Sequence, residues 1–212
     1  MKRVGMKPDA SCYAYLMQAY RHADKFKEVE LLFEEMELNR IHPIESIFGI
    51  RIACFAKQKD LSSALRVAQC MKNYHLQPNE HIATLLLSGV KETLNLEILN
   101  AILDFIKKEK IKFNQIIYNS LIHCYSILKD SSKVEELLQE MKEAGFERDQ
   151  FSWSSAISCF SSSPSLVVSA YEEMMKEKEE EGNGETHLTS SMCDTVVSSY
   201  LSLGDHRNAF EV

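Results

Sequence analysis

Apolar residues recur along this chain in two alternating stripes, and both stripes return after 35 residues. In the first stripe Tyr13, Phe48, Ala83, Tyr118 and Trp153 form one series, and Met17, Ile52, Leu87, Ile122, Ile157 and Val197 form another. A third series is Tyr20, Phe55, Val90, Tyr125, Phe160 and Tyr200. The three fall at i, i+4 and i+7, which is one face of an α-helix. In the second stripe Leu32, Val67, Ile102 and Leu137 are followed four residues later by Met36, Met71, Ile106 and Met141, so a second helix follows the first. The polar stretches between them, such as His22 to Lys25 and Lys57 to Asp60, are only long enough to reverse the chain. Each period therefore reads as a helical hairpin. Ile41, Leu76, Ile111 and Phe146 close the second helices, and where Pro43 or Pro78 follows, the helix has already ended, because proline lacks a donor and restricts its predecessor.

A fixed period of this size marks a helical repeat array, in which each hairpin buries its remaining face by stacking on a neighbour. The predicted fold class is all-α, a solenoid of stacked helix-turn-helix hairpins. The frame places repeats at 10–44, 45–79, 80–114 and 115–149, then a divergent fifth at 150–189 and an incomplete sixth at 190–212. Residues 1–9 read as the tail of a truncated upstream repeat, since Met1 sits in the slot of Met36, and Val212 stops inside a second helix. The expectation is a fragment, or a truncated gene model, of a longer array.

Composition narrows the choices. With 45% hydrophobic residues and few Gly or Pro, the chain can bury a continuous core. No run of about 18 apolar residues is present, so no membrane span is expected. The six cysteines lack the close pairing that zinc sites use, and Cys54, Cys124 and Cys159 share one point of the first helix, as small packing residues would. A reducing compartment fits that usage. No metal site, cofactor, catalytic residue or small-molecule substrate is expected: there is no Gly-rich phosphate loop and no His and Cys cluster at metal spacing.

The net charge is −7, and its distribution matters more than its total. Glu172 to Glu185 is a low-complexity acidic insertion in the fifth repeat, and Glu179 to Glu181 reads as solvated. The first-helix segments, by contrast, sum to zero net charge, with Arg21, His22, Lys57 and Lys91 near helix ends. Arg21, Lys57 and Lys91 are candidates for phosphate contact, and they equally suit helix C-termini, where cations complement the dipole.

The segments at 116–149, IIYNSLIHCYSILKDSSKVEELLQEMKEAGFERD, and at 4–9, VGMKPD, closely resemble pentatricopeptide repeats of the plain 35-residue type. The resemblance is strong in repeats one, two and four, recognisable in the third and degraded in the fifth, where Ser161 to Pro164 replaces the usual turn. The Trp/Leu-Gly/Tyr signature of the 34-residue tetratricopeptide relatives is missing. The resemblance implies a right-handed superhelix with first helices on the inner wall, binding single-stranded RNA one base per repeat in a mitochondrion or chloroplast, alongside other RNA-processing proteins. It further implies that the fifth and last residues of a repeat read the base, while the second packs on the base face. Ala14 with Ile44 then specifies nothing, and Gly49 with Asn79 is a weak reader. Thr84 with Asn114 resembles the adenine-preferring pair, and Asn119 with Asp149 the uracil-preferring one. Ser154 reads in the fifth repeat, with Thr189 its partner by register, and Asp194 begins the sixth. Ile116 and Phe151 are the base-stacking candidates, with Ser11, Ser46 and His81 as poorer platforms.

The chemistry stands beside the resemblance. An Asn amide offers a donor and an acceptor, and a nearby carboxylate fixes which way it points. Thr84 and Asn119 also fit first-turn residues that favour a helix start. The competing function is a protein-binding scaffold, favoured by the weak first readers and the acidic insertion. An enzyme has the least support.

Overall fold

The computed structural model describes residues 8–93, 95–180 and 188–212, and the chain divides into two compact units, residues 1–113 and 114–212. Most of the predicted upstream tail (1–7) and the end of the acidic insertion (181–187) lie outside the described residues. Among the described residues the regular structure is entirely helical.

The first unit holds α1 (Ala10–His22), α2 (Phe26–Leu38), α3 (Glu45–Lys57), α4 (Leu61–Cys70), α5 (Glu80–Thr93) and α6 (Leu96–Lys108). They pair as successive hairpins, α1 with α2, α3 with α4 and α5 with α6, and the first helices stack, α1 on α3 and α3 on α5. The second unit repeats the scheme with α7 (Gln115–Ile127), α8 (Ser131–Glu143), α9 (Gln150–Phe160), α10 (Pro164–Glu180), α11 (Ser190–Ser202) and α12 (His206–Glu211). There α7 stacks on α9 and α9 on α11. The i, i+4, i+7 stripe accounts for the cores: Met17, Phe48, Ile52 and Leu87 are sealed from solvent in the first unit, Ile122, Trp153 and Ile157 in the second. Tyr20, Phe55, Leu32 and Val197 are only half-buried. Cys54, Cys124 and Cys159 are buried free thiols, and burial pushes the Cys54 thiol up to about 11.

Two local devices set the hairpins. At the N-terminus of each first helix the preceding residue caps: Asp9, Asn79, Asn114, Asp149 and Thr189 accept from the backbone N–H three residues on. Ile44 holds the same place before α3 and makes no side-chain cap. The helix-start role expected of Thr84 and Asn119 is thus misplaced by five residues; both lie inside their helices, beyond the turn whose N–H groups lack partners. At the C-terminus of the second helices, Arg40, His75, Lys110 and Gly145 adopt left-handed backbone, with φ of 56°, 60°, 53° and 78°. The following N–H returns to the carbonyl five residues back, as Ile41 to Met36 at 3.0 Å and Phe146 to Met141 at 3.0 Å. This closure satisfies carbonyls the helix leaves orphaned. In the second hairpin it begins early: α4 ends at Cys70 and Met71–Tyr74 continues as a 3₁₀ turn, so Met71 keeps its buried slot outside the α-helix.

The fifth repeat departs from expectation. Pro164 opens α10 at a first-turn position, where its missing N–H costs nothing, so the Ser161 to Ser163 turn is as short as the others. The first half of the acidic run is not a loose insertion: α10 continues through Glu180, and Glu173 and Glu177 face Arg148 and Lys142.

Candidate nucleic-acid interface

Within each unit the stacked first helices turn one row of side chains into a shared hollow. In residues 1–113, α1, α3 and α5 line a hollow of about 560 Å³ that includes Ala14, Ile44, Ser46, Gly49 and His81. Small residues make this space. A Cβ added at Gly49 would sit 3.6 Å from Leu85 Cδ1 and 3.7 Å from His81 Nε2, ordinary van der Waals contacts. Asn79 is committed elsewhere: its Oδ1 accepts from Ile82 N at 3.2 Å and its Nδ2 donates to Glu45 Oε1 at 2.6 Å. Thr84, also in this unit, donates its hydroxyl to the Glu80 carbonyl at 2.9 Å. Its predicted partner Asn114 opens the second unit, where its Oδ1 accepts from Ile117 N at 2.9 Å.

Arg21 and Lys57 border a neighbouring hollow of about 460 Å³ in the first unit. Lys59 joins them there, a residue that sequence reasoning passed over because it lies in a turn. Lys57 is not a free cation: it pairs with Asp24, and Arg21 Nε donates to Gln18 Oε1 at 3.2 Å. Lys91 lies in the last turn of α5.

The second unit brings a predicted pair together. Asn119 Nδ2 donates to Asp149 Oδ2 at 2.7 Å, joining α7 to the cap of α9. Asp149 does two jobs with two oxygens: Oδ1 accepts from Ser152 N at 2.9 Å, and Oδ2 accepts from Asn119 and from Gln115 Nε2 at 3.0 Å. Burial pushes the Asp149 carboxyl up, but the hydrogen bonds from the Ser152 backbone, Asn119 and Gln115 outweigh it and hold the group below its ordinary 3.8. It is therefore an anion at neutral pH, acceptor only. Asn119 Oδ1 is buried and has no hydrogen-bond partner. An acceptor left in that state costs about 1–3 kcal/mol.

Flanking this pair, Ile116 is 59% and Phe151 46% exposed, large apolar side chains on otherwise buried helices. Phe151 stands 5.4 Å from the His123 ring, and both line a hollow of about 550 Å³ with Ser154. His123 was not singled out from the sequence, since a lone His near an apolar stripe carries no signal; neither was Gln115, whose role appears only with Asp149 beside it. His81, the weaker platform, is exposed in the first unit. Among the described residues no group of three His, Cys, Asp or Glu is placed to hold a metal ion, and no helix is long and apolar enough to cross a membrane.

Comparison with known proteins bears on this lining. The PPR repeat pattern matches residues 11–41 and 116–146, and the pentatricopeptide repeat domain pattern matches 81–126. The mitochondrial 15S rRNA processing factor CCM1 of Yarrowia lipolytica is 28% identical over 145 residues, 66% of this chain and 19% of that protein. The chloroplastic pentatricopeptide repeat-containing protein At4g35130 of Arabidopsis thaliana is 25% identical over 158 residues, 74% of this chain and 19% of that one. The chain thus spans about a fifth of the length of these two relatives. Among solved structures, the pentatricopeptide repeat protein PPR10 from maize superposes with a TM-score of 0.59 at 19% identity, covering 99% of this chain and 34% of that one. PPR10 in complex with an 18-nt psaJ RNA element gives 0.52 at 18% identity, over 100% of this chain and 35% of that one. Matched by the repeat pattern in both units and sharing the hairpin fold, the chain belongs to the pentatricopeptide repeat family.

Proposed function

We propose that this chain binds single-stranded RNA along its first helices, one base per hairpin, and serves organellar RNA processing. The observation that carries the reading is the Asn119–Asp149 pair: a side-chain amide oriented by an anion, with an unpartnered acceptor, and with the exposed apolar Ile116 and Phe151 near it in sequence. A base edge fits such a site in kind. Uracil presents a ring N–H to the Asn119 carbonyl oxygen and a carbonyl to the remaining amide N–H, whereas cytosine presents a ring acceptor where Asn119 also accepts. Ile116 and Phe151 supply the faces on which a base stacks, worth about 1–3 kcal/mol.

Ser154 reads after it. The preferred RNA accordingly contains uracil at the fourth hairpin. The relative named as a mitochondrial rRNA processing factor and the structure of PPR10 with an RNA element support the ligand class and the compartment. The processing step and any partner proteins belong to the longer proteins these relatives represent. The scaffold alternative loses ground, because the acidic run that favoured it spends Glu173 and Glu177 on Arg148 and Lys142.

The test is base selection. Substituting Asn119→Thr should move the preferred base at the fourth hairpin away from uracil, read by selection from an oligonucleotide pool randomised at that position. An unchanged preference rejects the assignment.

A further inference from the structure

We propose that Gln115, the residue opening α7, is a positioning residue that sets the base specificity of Asn119 through Asp149. The inference rests on the RNA reading above and adds a side chain to it. Gln115 and Asn119 are four residues apart and so lie on one face of α7, both pointing a side-chain amide at the same oxygen, Asp149 Oδ2, at 3.0 and 2.7 Å. Asp149 Oδ1 is taken by the Ser152 backbone N–H. The cap bond alone would let the carboxylate pivot about Oδ1. Two donors on Oδ2, one a helical turn from the other, remove that freedom. With Oδ2 held in place, only the NH₂ side of Asn119 can face it, because the flipped amide would set oxygen against oxygen. The Asn119 carbonyl oxygen is thereby reserved for a ligand donor, and it is the atom the structure leaves buried and unpartnered. Orientation of one amide decides whether a ring N–H, as in uracil, or a ring acceptor, as in cytosine, is welcome.

The first unit shows the same contact with the opposite chemistry. Glu45 opens α3 as Gln115 opens α7, and it too reaches the capping residue at the end of its hairpin, but as an acceptor. It takes the amide of Asn79, whose carbonyl oxygen already caps Ile82, so both polar ends of Asn79 are spent. A donor at the opening position braces the reader, and an acceptor there occupies its partner.

The experiment uses the full 212-residue chain and two RNA oligonucleotides that differ only in U or C at the fourth hairpin. Dissociation constants come from fluorescence anisotropy, and a thermal melt accompanies each variant. Wild type should favour U. In Gln115→Leu the U-to-C ratio of affinities should fall about tenfold, the worth of one charge-assisted hydrogen bond. Gln115→Glu, nearly isosteric, should fall at least as far, and Gln115→Lys, which restores a donor, should recover the ratio. A merely structural role would lower the melting temperature and both affinities together while leaving the ratio intact. If wild type prefers U and both Gln115→Leu and Gln115→Glu keep that preference, the inference is overturned and base reading survives. If wild type binds both RNAs equally, base reading at Asn119 fails and takes the inference with it. Should Gln115→Leu melt below the assay temperature, the ratio for Gln115→Glu decides.

Discussion

In residues 1–113 the side chains bordering the first-helix hollow include Ala14, Ile44 and Gly49, and Asn79, at the end of the second hairpin, is bonded at both ends. In residues 114–212 the corresponding positions hold Asn119, Asp149 and Ser154, with Phe151 and His123 beside them. The hairpins are alike and their caps occupy the same place in the chain. What differs is whether the cap has an oxygen to spare. Asp149 caps with one oxygen and takes the Asn119 amide with the other, while Asn79 has a single acceptor and spends it on the helix. On the proposed reading, base selection takes a capping residue with two acceptors, or a donor left free, and a polar side chain one turn inside the preceding first helix.

The units are also held differently, and the largest expected effect comes from that difference. Arg148 is buried, donates to Glu173 at 2.7 Å and through Nε to Glu177 at 3.0 Å, and lies 4.6 Å over the Trp153 ring. Replacing it with Met keeps the stem and leaves Glu173 and Glu177 only Lys142 as a cationic partner among the described residues. The expected cost is about 3 kcal/mol, at the low end for a broken buried pair because Glu173 remains 45% exposed. Trp153 is the chain's single tryptophan, so its fluorescence in a urea titration reports on this unit. Acid should act on the same cluster. Burial pushes Glu177 up, but its bonds to Arg148 and Lys142 prevail and hold it below its ordinary 4.5. A depressed carboxyl contributes stability above its unfolded value and loses it as pH falls through the folded one. The Trp153 transition should therefore shift to lower urea as pH drops below about 4.5, and Arg148→Met should flatten that dependence.

The first unit depends instead on close apolar approach. A Cβ at Gly89 would lie 2.3 Å from Leu61 Cδ2 and 3.1 Å from Ala56 Cβ, with Leu61 itself buried. Gly89→Val should cost about 2 kcal/mol through overpacking, seen as lost hydrogen-exchange protection in α4 and α5. Loss of protection no greater than in wild type would show that this contact has slack.

The contrast in lining can be tested by transplant. Glu45→Gln, Gly49→Asn and Asn79→Asp together copy the fourth hairpin's constellation into the second, where a Cβ at 49 meets only ordinary contacts. The triple variant should gain about tenfold preference for U over C at the second hairpin. Gly49→Asn alone should gain less, because Glu45 still holds Asn79.

Much of this was legible from the sequence. The helix bounds follow from the stripe, since burial of the i, i+4, i+7 face is what makes an isolated hairpin worth stacking. The family resemblance pairs Asn119 with Asp149, and the two side chains meet in the structure. The reading missed what depends on a second element. Gln115 looks like any polar first-turn residue until Asp149 arrives from the next hairpin, and Arg148 looks like a surface cation until α10 brings Glu173 and Glu177 over it. The caps were missed for another reason: the last residue of each period was weighed only as a base reader.

The smallest effect concerns the turns that repeat in both units. Lys110 in the first unit and Gly145 in the second hold the same place after a second helix, at φ of 53° and 78°. A side chain there costs about 1–2 kcal/mol of backbone strain, part of which glycine's greater unfolded-state freedom offsets. Nothing lies within 4 Å of a Cβ built on Gly145, so its substitution tests the backbone alone. Gly145→Ala should cost about 1 kcal/mol, and Lys110→Gly should gain about 0.5 kcal/mol, both read as shifts in urea midpoint. Equal and opposite signs in the two units would show that the turn obeys one rule throughout the chain. A loss of stability in Lys110→Gly would mean that the lysine stem contributes packing that its glycine counterpart has no need to replace.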